Sequence, residues 1–85
     1  MHKMDKDENW DWQSHINIDP AIQSGHPVIR GTRVPVQVIV GSLAGGDSIQ
    51  DVCEGYHVTE EDVRAALAYA ATLVGKQRAH ALPGR

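Results

Sequence analysis

Arg30 and Arg33 stand on either side of the dipeptide Gly31-Thr32. A guanidinium is a planar, permanently charged fork that matches a carboxylate or a phosphate bidentately. A tight turn at Gly31-Thr32 would aim both forks outward and lower the cost of ordering them. They could then hold phosphates or a partner's carboxylates, or simply be solvated cations balancing acids such as Asp19. Trp10 and Trp12 form a second group of interest, because tryptophan concentrates at interface hot spots. Equally, the pair could cap the bottom of the core.

The other chemistry-bearing residues form no reactive set. His2, His15, His26, His57 and His80 do not recur three or four apart on one helix, and Cys53 has no second cysteine. No metal is therefore expected, and no cofactor. There is no glycine-rich phosphate loop, no nucleophile elbow and no His-x-Glu signature. The paired carboxylates fall at helix caps. No catalytic residue is expected, and the chain reads as a binding protein rather than an enzyme.

Composition narrows this further. A chain of 85 residues has room for one domain and one modest core, and with no Phe that core must be built from Val, Ile, Leu and Ala. So light a core gains from burying a face against a second copy, and a homodimer is expected. The net charge is −3, from 8 basic and 11 acidic residues. Any nucleic-acid contact must then come from a local basic patch. A single cysteine excludes an internal disulfide and suits a reducing, cytoplasmic setting. Met1 to Asp11 is charged and lacks the apolar run of a signal peptide, and no stretch reads as a membrane span.

Short elements must position these residues. Residues 1–9 are polar and expected to be loosely ordered. Trp10, Trp12, Ile16 and Ile18 alternate with Asp11, His15, Asn17 and Asp19, which predicts a strand ended by Asp19-Pro20. Ser24-Gly25-His26-Pro27 reads as a turn. Val28-Ile29-Arg30 and Arg33-Val34 then form a short hairpin of type II′, with positive φ at Gly31. Val34 to Gly46 fits two templates: Val34, Val36, Val38 and Val40 alternate like a strand, while Val36, Ile39, Val40 and Leu43 follow helical spacing. Pro35 at a first helical position and Gly45-Gly46 as a stop favour the helix. Ser48-x-x-Asp51 opens a helix over 48–54, with Ile49, Val52 and Cys53 on its apolar face and Gly55 as its end.

Thr59-x-x-Asp62 opens the longest helix, over 60–74, with Val63, Ala66, Leu67, Ala70, Leu73 and Val74 at apolar positions. Glu60, Glu61 and Asp62 at its start and Lys76 and Arg78 near its end complement the helix dipole. A short helix, a tight link and a longer helix make a helix-turn-helix pattern. The leading residues of the second helix are acidic, however, and would repel a phosphate backbone. A plain helical core with a well-capped helix accounts for the same acids.

The run Ile18-Asp19-Pro20-x-Ile22-x-Ser24-Gly25-x-Pro27-Val28-Ile29-x-Gly31-Thr32-Arg33-Val34-Pro35-Val36 resembles the opening of the domain-of-unknown-function 433 family. Leu43-Ala44-x-Gly46-x-Ser48, Val52, Tyr56 and Thr59-Glu60-Glu61-Asp62-Val63-x-Ala65-Ala66-Leu67-x-Tyr69-Ala70 resemble its second half in order and spacing. The likeness spans residues 16–71. It implies a mainly α fold: a small N-terminal β element followed by a three-helix, homeodomain-like or winged-helix-like core. On this reading residues 1–15 are an extension, 16–75 the domain and 76–85 a tail. The family often has Pro after the tyrosine, where this chain has His57; that implies a looser link before the last helix.

The resemblance also implies a role close to VapB-type antitoxins, which bind and silence a PIN-like ribonuclease toxin and help repress their own operon. Such a nuclease holds its metal ions with carboxylates, and a cation can block that cluster. Lys76, Arg78 and Arg85 in the tail are the favoured cations, since a flexible segment can reach into a cleft; Arg30 and Arg33 are the alternative. Trp10 and Trp12 are candidate contacts for the partner. Two other readings remain. One is a free-standing dimeric regulator whose Arg30, Arg33 and Arg64 contact operator DNA. The other is a dimeric scaffold that binds no nucleic acid.

Overall fold

The computed structural model describes residues 10–76. The fold is mainly α, with a small antiparallel β element ahead of three helices. Strands β1 (Ile16–Asn17) and β2 (Val28–Ile29) pair with Ile16 opposite Ile29 and Asn17 opposite Val28. Helices α1 (Val36–Ala44), α2 (Ile49–Tyr56) and α3 (Glu60–Gly75) follow. Ile16, Ile29, Val36, Ile39, Val52, Val58, Val63, Ala65 and Ala66 form one core, with Trp10, Trp12 and Tyr69 packed against it.

The alternation expected from Trp10 to Ile18 does not become one strand. Trp12–His15 is a turn of 3₁₀ helix, and only Ile16–Asn17 extends. A 3₁₀ turn has a period of about three, so Trp10 and Trp12 do not share a strand face. Trp12 packs edge-on against Tyr69 with ring centroids 6.1 Å apart, and Trp10 lies 6.2 Å from the His15 ring. Ile18, expected to point inward, is 57% exposed.

The hairpin also differs from expectation. Thr32 N–H donates to Ile29 C=O at 3.0 Å, so Arg30-Gly31 are the central residues. Gly31 has φ 84°. A positive φ at the second central position is the signature of type II, not type II′. The chain then returns along the outer side of β2: Ile29 N–H donates to Val34 C=O, and Val36 N–H to Pro27 C=O, both at 2.9 Å.

That return shifts the start of α1. Pro35 bridges Val28 and keeps extended backbone, with φ −68° and ψ 143°. It is therefore the N-cap and not the first helical residue. The helical template holds from Val36. Val36 and Ile39 are buried while Val38 is 37% exposed, an arrangement strand parity would forbid.

Helix α2 begins where Ser48 Oγ accepts from Asp51 N–H at 3.0 Å. It runs through Gly55 and ends at His57, which adopts φ 59° and ψ 47°. Val58 N–H donates back to Cys53 C=O at 3.2 Å. This is a Schellman closure, and it turns Val58 into the core. The link before α3 is thus a fixed cap rather than a loose joint. At α3 the capping box is complete: Asp62 N–H donates to Thr59 Oγ1, and Thr59 N–H to Asp62 Oδ2, each at 3.0 Å.

Candidate partner-binding surface

Thr32 builds the loop that carries the two arginines. Its hydroxyl donates to Ile29 C=O at 2.7 Å and accepts from Val34 N–H at 2.9 Å. Gln23 Nε2 donates to Arg33 C=O at 3.2 Å, fastening the loop from outside. Gln23 itself belongs to a left-handed turn, with φ of 49° at Gln23, 56° at Ser24 and 85° at Gly25. Two non-glycine residues in that region store backbone strain, which surrounding contacts must hold.

The two arginines of this loop have different fates. Arg30 does not project outward as expected. Its Nε donates to Ser14 C=O at 2.6 Å and its Nη2 to Ile16 C=O at 3.1 Å, while its own N–H donates to His15 C=O at 2.8 Å. It pins the N-terminal segment to β2. Arg33 is exposed, and among the described residues it makes no ion pair. Asp19, suggested as a balancing acid, instead accepts from Ala21 N–H at 2.9 Å.

The remaining candidates scatter. Arg64 lies on α3 beside the acidic first turn, 4.0 Å from Glu60, with both side chains more than half exposed. Such a pair is worth little in water. Lys76 is the exposed C-cap of α3. Arg78 and Arg85 lie outside the described residues, as do His2 and His80.

Two features escaped the sequence reading. The first is a pair: His15 Nδ1 lies 2.8 Å from Asp62 Oδ1, with side-chain exposures of 24% and 18%. Because the carboxylate only accepts, Nδ1 carries the hydrogen. Burial works against charge on Asp62, but the Thr59 backbone N–H, the His15 ring and the Thr59 hydroxyl outweigh it. They hold its carboxyl below the usual range. The second is an open groove of about 410 Å³ between α1 and α3, walled by Val36, Val40 and Gly41 on one side and Tyr69, Ala70 and Leu73 on the other. The only hints of it were the stretch of apolar residues on α3 that outran the core and the small residues Gly41 and Ala70.

Cys53 is part-buried. Burial first, then the carboxylates of Glu60, Asp62 and Glu54, push its thiol up. Among the described residues, no three His, Cys, Asp or Glu side chains gather closely enough to hold a metal. No described helix is long and apolar enough to cross a membrane. Among the described residues the surface presents the exposed Arg33 guanidinium, an apolar groove and half-covered aromatics.

Comparison with known proteins places the chain among relatives. It is 39% identical over 56 residues to the uncharacterized protein y4eO of Sinorhizobium fredii, a match covering 65% of this chain and 25% of that protein. The crystal structure of Rv2018 from Mycobacterium tuberculosis superposes with a TM-score of 0.59 at 34% identity, covering 65% of this chain and 26% of the other. The chain thus spans about a quarter of the length of either relative. The family model described as "protein of unknown function (DUF433)" matches residues 16–70, from β1 through most of α3, and the chain belongs to that family.

Proposed function

We propose that this chain is the antitoxin of a toxin–antitoxin pair and silences a PIN-like ribonuclease by presenting Arg33 to the carboxylates that hold the nuclease's metal ions. The observation that carries this reading is the loop at 29–34. Thr32 and Gln23 lock it, Arg30 is spent on the fold, and Arg33 is left exposed. A preordered guanidinium loses little freedom on binding, and its fork suits a carboxylate pair. The protein would act in the cytoplasm, where its one cysteine stays reduced. Operator binding would be secondary and would draw on Arg33 and Arg64. The acidic start of α3 and the Glu60 partner of Arg64 weaken the case for a free-standing DNA-binding regulator.

The test is RNA cleavage by a PIN-like nuclease that comes down with this chain from its native host, measured with and without it. The wild type inhibits, and Arg33→Glu abolishes inhibition without unfolding. If inhibition survives Arg33→Glu and is lost in Arg78→Glu, the tail is the blocking element and the loop assignment is wrong. If the wild type neither binds nor inhibits the nuclease, the antitoxin reading fails.

A further inference from the structure

We infer that residues 10–15 form a latch whose seating sets the order of the arginine loop at 29–34. The inference rests on the reading of Arg33 as the presented contact, and it gives that site a means of control.

The segment is braced as a unit. Ser14 donates twice to Asp11 C=O, from its N–H at 3.3 Å and its hydroxyl at 2.9 Å, and Ile16 N–H donates to Gln13 C=O. No residue of its 3₁₀ turn is buried, and the core begins only at Ile16. A piece held without fully buried apolar side chains opens at lower cost than the core beneath it.

Its seat joins two parts of the molecule. On α3, His15 Nδ1 reaches Asp62 Oδ1 at 2.8 Å and Trp12 meets Tyr69 edge-on. On the loop, Arg30 N–H donates to His15 C=O at 2.8 Å and Arg30 Nε to Ser14 C=O at 2.6 Å. If residues 10–15 lift from α3, Arg30 keeps only its Nη2 bond to Ile16 C=O, which belongs to β1. Arg30 and Gly31 are the central pair of the turn that Thr32 N–H closes on Ile29 C=O. Gln23 fastens the loop at Arg33, and the latch fastens it at Arg30. With the latch seated, Arg33 is presented from a loop held at both points. With the latch lifted, the loop is held at one and loses more freedom when it binds. Tyr69, on which Trp12 rests, is also a wall of the groove between α1 and α3. The latch therefore touches both the loop and the groove.

The test is amide hydrogen exchange on the full chain, joined to acrylamide quenching of its two tryptophans, both of which lie in the latch. Trp12→Ala and His15→Ala should each speed exchange at Thr32 and Val34 at least about fivefold, the measure of about one lost hydrogen bond. The amides of α2 should keep their wild-type rates. Trp12→Phe retains a ring for Tyr69 and should restore the protection. Coupling between two sites is reciprocal. Thr32→Val, which alters only the loop, should therefore open the tryptophans to acrylamide. Loop protection that is unchanged, or that falls equally in α2, overturns the inference, as does a Thr32→Val variant with wild-type quenching. No nuclease enters either measurement, so the fate of the antitoxin reading is read separately.

Discussion

His15 and Asp62, 47 positions apart in the chain, meet at 2.8 Å through Nδ1 and Oδ1. The same carboxylate caps α3 through its other oxygen, at 3.0 Å from Thr59 N–H. One side chain therefore closes a helix and fastens the N-terminal segment to it. Asp62→Ala should cost about 1–2 kcal/mol in urea unfolding. A double-mutant cycle with His15→Ala should show the two residues coupled. Additive losses would mean the contact contributes nothing.

The lowered pKa of Asp62 sets a direction for pH dependence. The unfolded chain holds that proton more readily than the folded one, so the group stabilises the fold above the ordinary carboxylate range, about pH 4. This contribution is lost as pH falls through the lowered folded value. Thermal unfolding midpoints of the wild type and Asp62→Asn should differ at neutral pH and converge in acid. Parallel curves would remove Asp62 as the titrating group.

Arg30 and Arg33 should separate cleanly by mutation. Arg30→Ala loses two charge-assisted hydrogen bonds to backbone carbonyls and should destabilise by about 1–3 kcal/mol. Arg33→Ala should stay within about 0.5 kcal/mol of the wild type. Denaturant midpoints for the two variants decide this, and equal losses would show that Arg33 is also structural.

At His57 a left-handed backbone holds a residue with a Cβ. His57→Gly should stabilise the protein by about 1 kcal/mol, since glycine takes that conformation freely. His57→Pro should destabilise by more, because proline fixes φ near −65°. A shift in the opposite direction for the glycine variant would show that the imidazole itself is needed there.

Thr32→Val keeps the shape of the side chain but removes one donor and one acceptor from the loop. A loss of about 1–2 kcal/mol is expected. If the antitoxin proposal holds, weaker inhibition should accompany it at temperatures where the fold is intact. Inhibition at wild-type strength would show that the order of the loop is irrelevant to binding.

What could be read from the residues alone was local. Ser48-x-x-Asp51 and Thr59-x-x-Asp62 announce their helices because each cap is satisfied within four residues. The helical spacing of Val36, Ile39 and Val40 was visible, but Pro35 suits both a strand end and a helix start, and it serves as both. Relations across the chain were not legible. Nothing near Arg30 says that its guanidinium folds back on Ser14 and Ile16. Nothing near His15 names Asp62. The parity of Trp10 and Trp12 misled because Tyr69, far along the chain, offers Trp12 an aromatic edge that local pattern does not record. Gly55 failed as a stop because burial of Val58 decides where α2 closes.

The fold-back of Arg30 has a further consequence, for the protein in concentrated solution. A bare strand edge is a template on which other chains can add strands and grow into fibres. The outward carbonyls of Ser14 and Ile16 are occupied by the arginine, and the opposite side of the sheet is covered by Val34 and Pro35. Both flanks are stoppered, so the folded molecule can leave its apolar groove open without also offering a seed for fibrillar growth. Release of the arginine would unstopper one flank.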